Sequence, residues 1–217
     1  MSRVIVIGAN GKVAQRLLPI LTDSGHQVRG VIRNPDRAED VQSFGATAEV
    51  ADVEHLSTED ITALLDGSDT VVWSAGAGAE SAEKTYAIDR DAAIRTMDAA
   101  AAAGAKRFIM VSYLGSGVIP DVPEDNWLYS YSRAKTAADE HLRNTDLDWT
   151  ILAPGPLTLD EPTGLISITA PGDGRIPRGD VAAVVATVIG ANNTIGQRLP
   201  LGEGDTRIAD AIQTYRG

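Results

Sequence analysis

The first thirty residues confine this chain more than any other part of it. An apolar run at residues 4–7 stops at Gly8-Ala9-Asn10-Gly11-Lys12-Val13-Ala14, a GxxGxxA pattern, and a stretch of helical period follows. A strand that passes at once into a helix needs small residues at set places. Gly8 permits the sharp exit, Gly11 lets a backbone approach a pyrophosphate, and Ala14 keeps the helix close to its strand. The first turn of the helix then offers free N–H groups and the positive end of its dipole to an anion. A tight strand-to-helix turn that binds nothing would use the same glycines. The place of this one at the head of a strand-helix-strand unit points to a dinucleotide.

Further β-branched runs at residues 28–32, 70–73, 108–111 and 149–152, and a weaker one at 47–50, alternate with longer Ala/Leu-rich stretches. Continuous rather than alternating apolar strands are what a parallel sheet covered by helices on both faces requires. The expected fold class is therefore α/β: a Rossmann-type doubly wound parallel sheet. Helix limits agree with it, since Gly25, Gly67 and Gly104 follow helical stretches, the last beginning near Ala82, and Pro35 opens one. After Pro154 the rhythm changes to Pro/Gly-rich loops, an apolar run from Leu165 to Thr169, a helix from about Gly179 to Ile189, a strand near Leu199 and a last helix from Thr206. We read residues 1–217 as a single domain, with residues 154–217 forming a small C-terminal lobe that contributes much of the substrate side.

With 19 basic and 30 acidic residues, the net charge of −11 repels nucleic acid and anionic membrane surfaces. One phosphate can still be held by a few local donors. The chain has no cysteine, and His26, His55 and His141 show no ligand spacing, so neither disulfides nor a structural metal are expected. No run approaches the roughly 18 apolar residues of a membrane span, and the short apolar start lacks a basic leader. A cytoplasmic protein with a small-molecule substrate, monomeric or homodimeric, is the expectation.

The nucleotide is chosen at the end of the second strand, where an NAD site places an acidic residue on the ribose 2′-hydroxyl. This chain has Arg33-Asn34-Pro35 there. Arg33 suits a 2′-phosphate, which favours NADP(H) over NAD(H). Lys12 can assist, whereas Arg37 reads as an exposed helix residue. Asp52 stands where a carboxylate could accept from the adenine amino group, with Val53 beside it, although an aspartate in a turn or helix cap is nearly as natural. The small residues Ser74, Ala75 and Gly76 would let a cofactor cross the edge of the sheet.

These residues, together with Met110-Val111-Ser112-Tyr113, Tyr131-Ser132-Arg133-Ala134-Lys135 and residues 148–155, resemble the atypical short-chain dehydrogenase/reductase superfamily, and within it the NAD(P)H-binding, NmrA-like branch. The likeness runs through almost the whole chain, including Ile176-Pro177-Arg178-Gly179-Asp180. It implies an oxidoreductase in which Tyr131 and Lys135 form a YxxxK pair and Ser112 is the serine after the fifth strand. By that resemblance Tyr131 donates a proton, Lys135 also holds the nicotinamide ribose, Ser112 orients the substrate oxygen and Pro154 borders the nicotinamide. Four-residue spacing puts Tyr131 and Lys135 on one helix face, where an ammonium can lower a phenol pKa from about 10. Asp89 stands where many members carry an asparagine, and the interval from Ser112 to Tyr131 is long for the typical enzymes. Tyr113 and Tyr129 are rival tyrosines. Trp127 and Leu157 are candidates to line the pocket, though packing explains them as well. The functions compatible with all this are an NADP(H)-dependent reductase of a small carbonyl or quinoid compound, an NADP(H)-sensing regulator without turnover, and a flavin or biliverdin reductase that does not use the tyrosine.

Overall fold

A computed structural model describes residues 1–78, 80–168 and 174–216. Its strands are β1 (Arg3–Ile7), β2 (Gln27–Ile32), β3 (Thr47–Val50), β4 (Thr70–Trp73), β5 (Arg107–Val111), β6 (Asp148–Pro154), β7 (Leu157–Thr158), β8 (Leu165–Ser167), β9 (Ile176–Pro177) and β10 (Gln197–Arg207). Among the described residues, eight of them make one sheet in the order β3-β2-β1-β4-β5-β6-β10-β8, parallel except for β8, which runs against β10. The six-strand order 3-2-1-4-5-6 is the doubly wound arrangement, whose ligand crevice lies where the order reverses, between β1 and β4. β7 and β9 form a separate two-stranded ladder.

The helices are α1 (Ala14–Asp23), α2 (Ala38–Ser43), α3 (Thr58–Leu65), α4 (Ala82–Thr85), α5 (Ala93–Ala103), α6 (Trp127–Arg143), α7 (Arg178–Ile189) and α8 (Ile208–Thr214). They cover both faces of the sheet, and β1 shows why its strands carry no polar alternation. Val4 and Val6 pack on one side with Leu17, Leu18 and Leu21 of α1 and Val184 and Val188 of α7. Ile5 and Ile7 pack on the other with Trp73, Met97 of α5, Phe108 and Leu142 of α6. Both faces are therefore dry.

Two boundaries differ from the sequence expectation. The long helix read from Ala82 to Gly104 begins and ends there, but Tyr86–Ala92 is wound as a π-helix between α4 and α5. The last helix was placed from Thr206; instead Thr206 pairs with Ile166 as part of β10, and α8 starts at Ile208. A bulge between Gly202 and Thr206 allows this prolonged strand. Of the apolar run from Leu165, residues 165–167 form β8, and Thr169 lies outside the described residues.

Arg107, the first residue of β5, ties the sheet to the C-terminal segment. Its guanidinium donates to the carbonyls of Asp148 and Val188 (both 2.6 Å) and to the hydroxyls of Thr150 (2.8 Å) and Thr194 (3.1 Å). Burial pulls its pKa down to about 10, with Asp148 acting in the opposite direction. Arg107→Met removes these bonds and strands buried carbonyls. The expected loss is about 2–4 kcal/mol, seen as a lower urea midpoint with an unchanged slope.

Candidate functional site

At the reversal point the chain forms a groove of about 300 Å³, walled by the ends of β1, β2 and β4. Gly8 has φ of 84°, and a Cβ there would stand 2.7 Å from the backbone of Ala75, so no other residue fits between β1 and β4. A Cβ on Gly11 would meet the Gly8 carbonyl oxygen at 3.1 Å. The N–H groups of Gly8 and Ala9 donate to the Val31 carbonyl, and that of Gly11 to the Gly8 carbonyl. Among the described residues, no acceptor takes the N–H groups of Asn10, Lys12 or Val13. A dinucleotide fits such a place: small residues open the wall, and the free amides before α1 would meet a pyrophosphate.

Of the expected cofactor residues, Gly8, Asn10, Gly11, Arg33, Asp52, Val53, Ser74, Ala75 and Gly76 all line the groove. Arg33 makes no hydrogen bond or ion pair with another described residue, and Arg37, taken from sequence as a plain surface residue, lines the same end of the groove. A 3₁₀ turn at Pro35–Arg37, capped by Asn34, brings it there. Asp52 lines the groove, and its Oδ1 accepts from the Glu54 N–H (3.2 Å) in a turn. Ligand-capable atoms of Asp52, Glu54 and His55 lie within 4.8 Å of one another, but Lys84 Nζ occupies both Glu54 oxygens (2.8 and 2.7 Å). Besides Lys135, three expected residues have side chains outside the groove wall. The exposed Lys12 side chain is not in the wall, Val13 is buried in the core beneath it, and Pro154 is buried at the end of β6.

The π-helix carries the residue that connects this groove to α6. Wider turns of that kind recur at functional sites. Asp89 is fully buried. Its Oδ2 accepts from the Ala77 N–H (2.9 Å), and its Oδ1 stands 3.1 Å from Lys135 Nζ. A Cβ on Gly76 would come within 3.1 Å of that Oδ1, so the groove floor rests directly on the carboxylate. Lys135 also donates to the Val111 carbonyl (3.3 Å), and its Nζ is 5.9 Å from the centre of the Tyr131 ring. Tyr131 lies between Tyr113 and Trp127, at centroid distances of 5.0 and 5.8 Å.

The structure thus brings Tyr131 and Lys135 onto one face, as their spacing requires, but with different electrostatics. Burial alone would lower Lys135, yet Asp89 and Tyr131 hold its pKa above the ordinary value. Burial raises the Tyr131 phenol, and Lys135 only partly opposes it, because Asp89, Tyr113 and Asp139 act with burial. The lowered phenol pKa expected from the YxxxK spacing is therefore replaced by a raised one. Tyr131 stays protonated near neutrality, which suits an acid and not a base.

The Ser112 hydroxyl donates to Asp139 Oδ2 at 2.7 Å, and Ser116 donates to the same oxygen at 2.5 Å. Asp139 was not singled out from sequence, although it continues the four-residue spacing of Tyr131 and Lys135. Asp89 was noticed only as a departure from asparagine. Its pairing with Lys135 joins segments distant in sequence, and no local pattern announces that.

A model of the NAD(P)H-binding family matches residues 8–192. The Bacillus subtilis protein named uncharacterized sugar epimerase YhfK is 37% identical over 217 residues, covering 97% of this chain and 99% of its own. A putative NAD-dependent epimerase/dehydratase from Bacillus halodurans superposes with a TM-score of 0.91 at 36% identity, over 99% of this chain and 100% of that one. ChuY, an anaerobillin reductase from Escherichia coli O157:H7, superposes with a TM-score of 0.76 at 26% identity, over 95% and 99% of the two chains. With this coverage and with the glycine-lined groove at the reversal of strand order, the chain belongs to the NAD(P)H-binding family of the atypical short-chain dehydrogenase/reductase superfamily.

Proposed function

We propose that this chain is an NADP(H)-dependent reductase of a small carbonyl or quinoid compound, with Tyr131 as the proton donor. The observation that carries the reading is the Asp89–Lys135 pair, which joins the floor of the cofactor groove to the face of α6 that bears Tyr131. Arg33 and Arg37 would meet the adenosine end of the cofactor, where two guanidinium groups and no acidic residue at the end of β2 favour a 2′-phosphate. Lys135 would hold the nicotinamide ribose. The bound reduced nicotinamide supplies a hydride. Tyr131, neutral at physiological pH, supplies the proton to the substrate oxygen, and a buried tyrosine next to an ammonium is restored to the phenol from solvent.

One observation favours an extended conjugated substrate. Trp127 (58% exposed) packs on Tyr131, and the strongly exposed Val118 (66%) and Ile119 (69%) belong to the loop that Ser132, the next residue of α6, holds through the Val118 carbonyl. Such a shelf offers π-faces and apolar surface rather than the hydrogen bonds a sugar needs. The name of ChuY, as an anaerobillin reductase, agrees with a reductase reading; the epimerase name of YhfK does not.

Three outcomes are expected. Fluorescence titration finds NADPH bound more tightly than NADH, and Arg33→Ala weakens NADPH by about 10- to 100-fold while leaving NADH within about twofold. Equal affinities in the parent protein reject the NADP(H) assignment. Tyr131→Phe lowers kcat by about 100-fold at unchanged NADPH affinity, and unaltered turnover removes the tyrosine from the reaction. Trp127→Ala raises KM about 10-fold for quinones and other planar substrates, whereas an effect confined to sugars contradicts the shelf.

A further inference from the structure

Asp139 is wholly buried on α6, one further step along the stripe that bears Tyr131 and Lys135. Its Oδ2 takes both the Ser112 and the Ser116 hydroxyls, and among the described residues its Oδ1 has no hydrogen-bond partner. The two lengths, 2.7 and 2.5 Å, are those of hydroxyl-to-carboxylate bonds. A serine has a single hydroxyl proton. Given inward to Asp139, that proton is withheld from any other acceptor, and to any other group Ser112 presents only lone pairs.

The loop that carries the two serines has little freedom to undo this. Ser132 Oγ donates to the Val118 carbonyl (2.8 Å), Thr136 Oγ1 accepts from the Gly117 N–H (2.9 Å), and Arg198 of β10 donates to the Leu114 carbonyl (2.7 Å). Two side chains of α6 and one of β10 therefore pin the turn after β5. We propose that Asp139 is a positioning residue that fixes Ser112 as a hydrogen-bond acceptor toward the site, so that Tyr131 is the one hydroxyl that protonates the substrate oxygen. This rests on the reductase reading above, and it specifies how Ser112 would orient a substrate group, the role that the resemblance implies for it.

The charged and titratable groups facing Asp139 are Lys135, Arg143 and Tyr131 from α6, Tyr113 from the loop, and Arg198 from β10, with Asp89 beyond Lys135. Burial pushes the Asp139 carboxyl above its ordinary range, while the bonds from Ser116 and Ser112 and the charges of Lys135 and Arg143 act against burial. Removing the Ser112 hydroxyl takes away one group that favours the carboxylate and moves the titration of Asp139 further up. At low pH the carboxyl is protonated with or without Ser112, and this interaction contributes nothing to the difference. As pH rises, the parent ionises first, so its stability advantage over Ser112→Ala grows.

The test is a double-mutant cycle of Ser112→Ala and Asp139→Asn read in two ways. In the cofactor-free protein, urea unfolding between about pH 4 and about pH 8 should show a coupling between the two positions that increases with pH. A coupling that is absent or independent of pH overturns the proposal. If Asp139→Asn does not fold, the pH dependence of the Ser112→Ala difference decides alone, and a constant difference overturns it. In turnover, Asp139→Asn should lower kcat about 10-fold with KM and NADPH affinity within about twofold, and adding Ser112→Ala should cost nothing more. Losses that multiply show that Asp139 acts apart from Ser112 and overturn the proposal. Intact coupling without NADPH-dependent turnover of any substrate overturns the reductase reading and with it the role of Asp139; turnover without coupling overturns the role of Asp139 alone.

Discussion

The site depends on a buried ion pair. Removing the charges of Asp89 and Lys135 from water costs several kcal/mol per ion, so the pair persists only where hydrogen bonds fill its remaining positions. The Ala77 N–H does so for Asp89 and the Val111 carbonyl for Lys135. The pair consequently fastens four segments to one another: the groove floor after β4, the π-helix, the end of β5 and α6. The irregular winding at Tyr86–Ala92 belongs to the same constraint, since that segment must present a carboxylate inward beneath a glycine that leaves room for it.

That constraint also decides the chemistry open to Tyr131. A lysine beside a tyrosine favours the phenolate only if its charge is not already balanced. Here Asp89 lies within ion-pair distance of the ammonium, and Asp139 follows on the same helix stripe. Two buried carboxyl groups around one cation leave little positive field for a phenolate, and burial works against it too. The phenol is held as a phenol. A reductive step needs that state, because the oxygen that gains a bond to hydrogen must find a proton within reach.

Much of the scaffold was legible because it follows from repeated local rules. Continuous apolar strands, glycines after helices and the spacing of Gly8, Gly11 and Ala14 each bear on a few neighbouring residues, and the sheet obeys them. The position of Arg33 at the groove follows for the same reason, since it is the residue after β2. The shortfalls lie where partners come from afar. The 3₁₀ turn that brings Arg37 to the groove, the π-helix that buries Asp89, and the tie between Ser112 and Asp139 all depend on contacts between separated segments. Thr206 was misplaced because a bulge lengthened its strand, and bulges are set by the neighbouring strand rather than by the residue itself.

The polar stripe of α6 shows how near such information can lie. Tyr131, Lys135 and Asp139 are equally spaced, so each could be seen to share a face, yet the spacing does not say whether the third residue meets solvent or the interior. Only the turn after β5 settles that, by laying Ser112 and Ser116 over the carboxylate and closing it from water. Ser112 and the carboxylate that takes its hydroxyl thus stand on different segments, and folding must join the end of β5 to α6 before the two can meet.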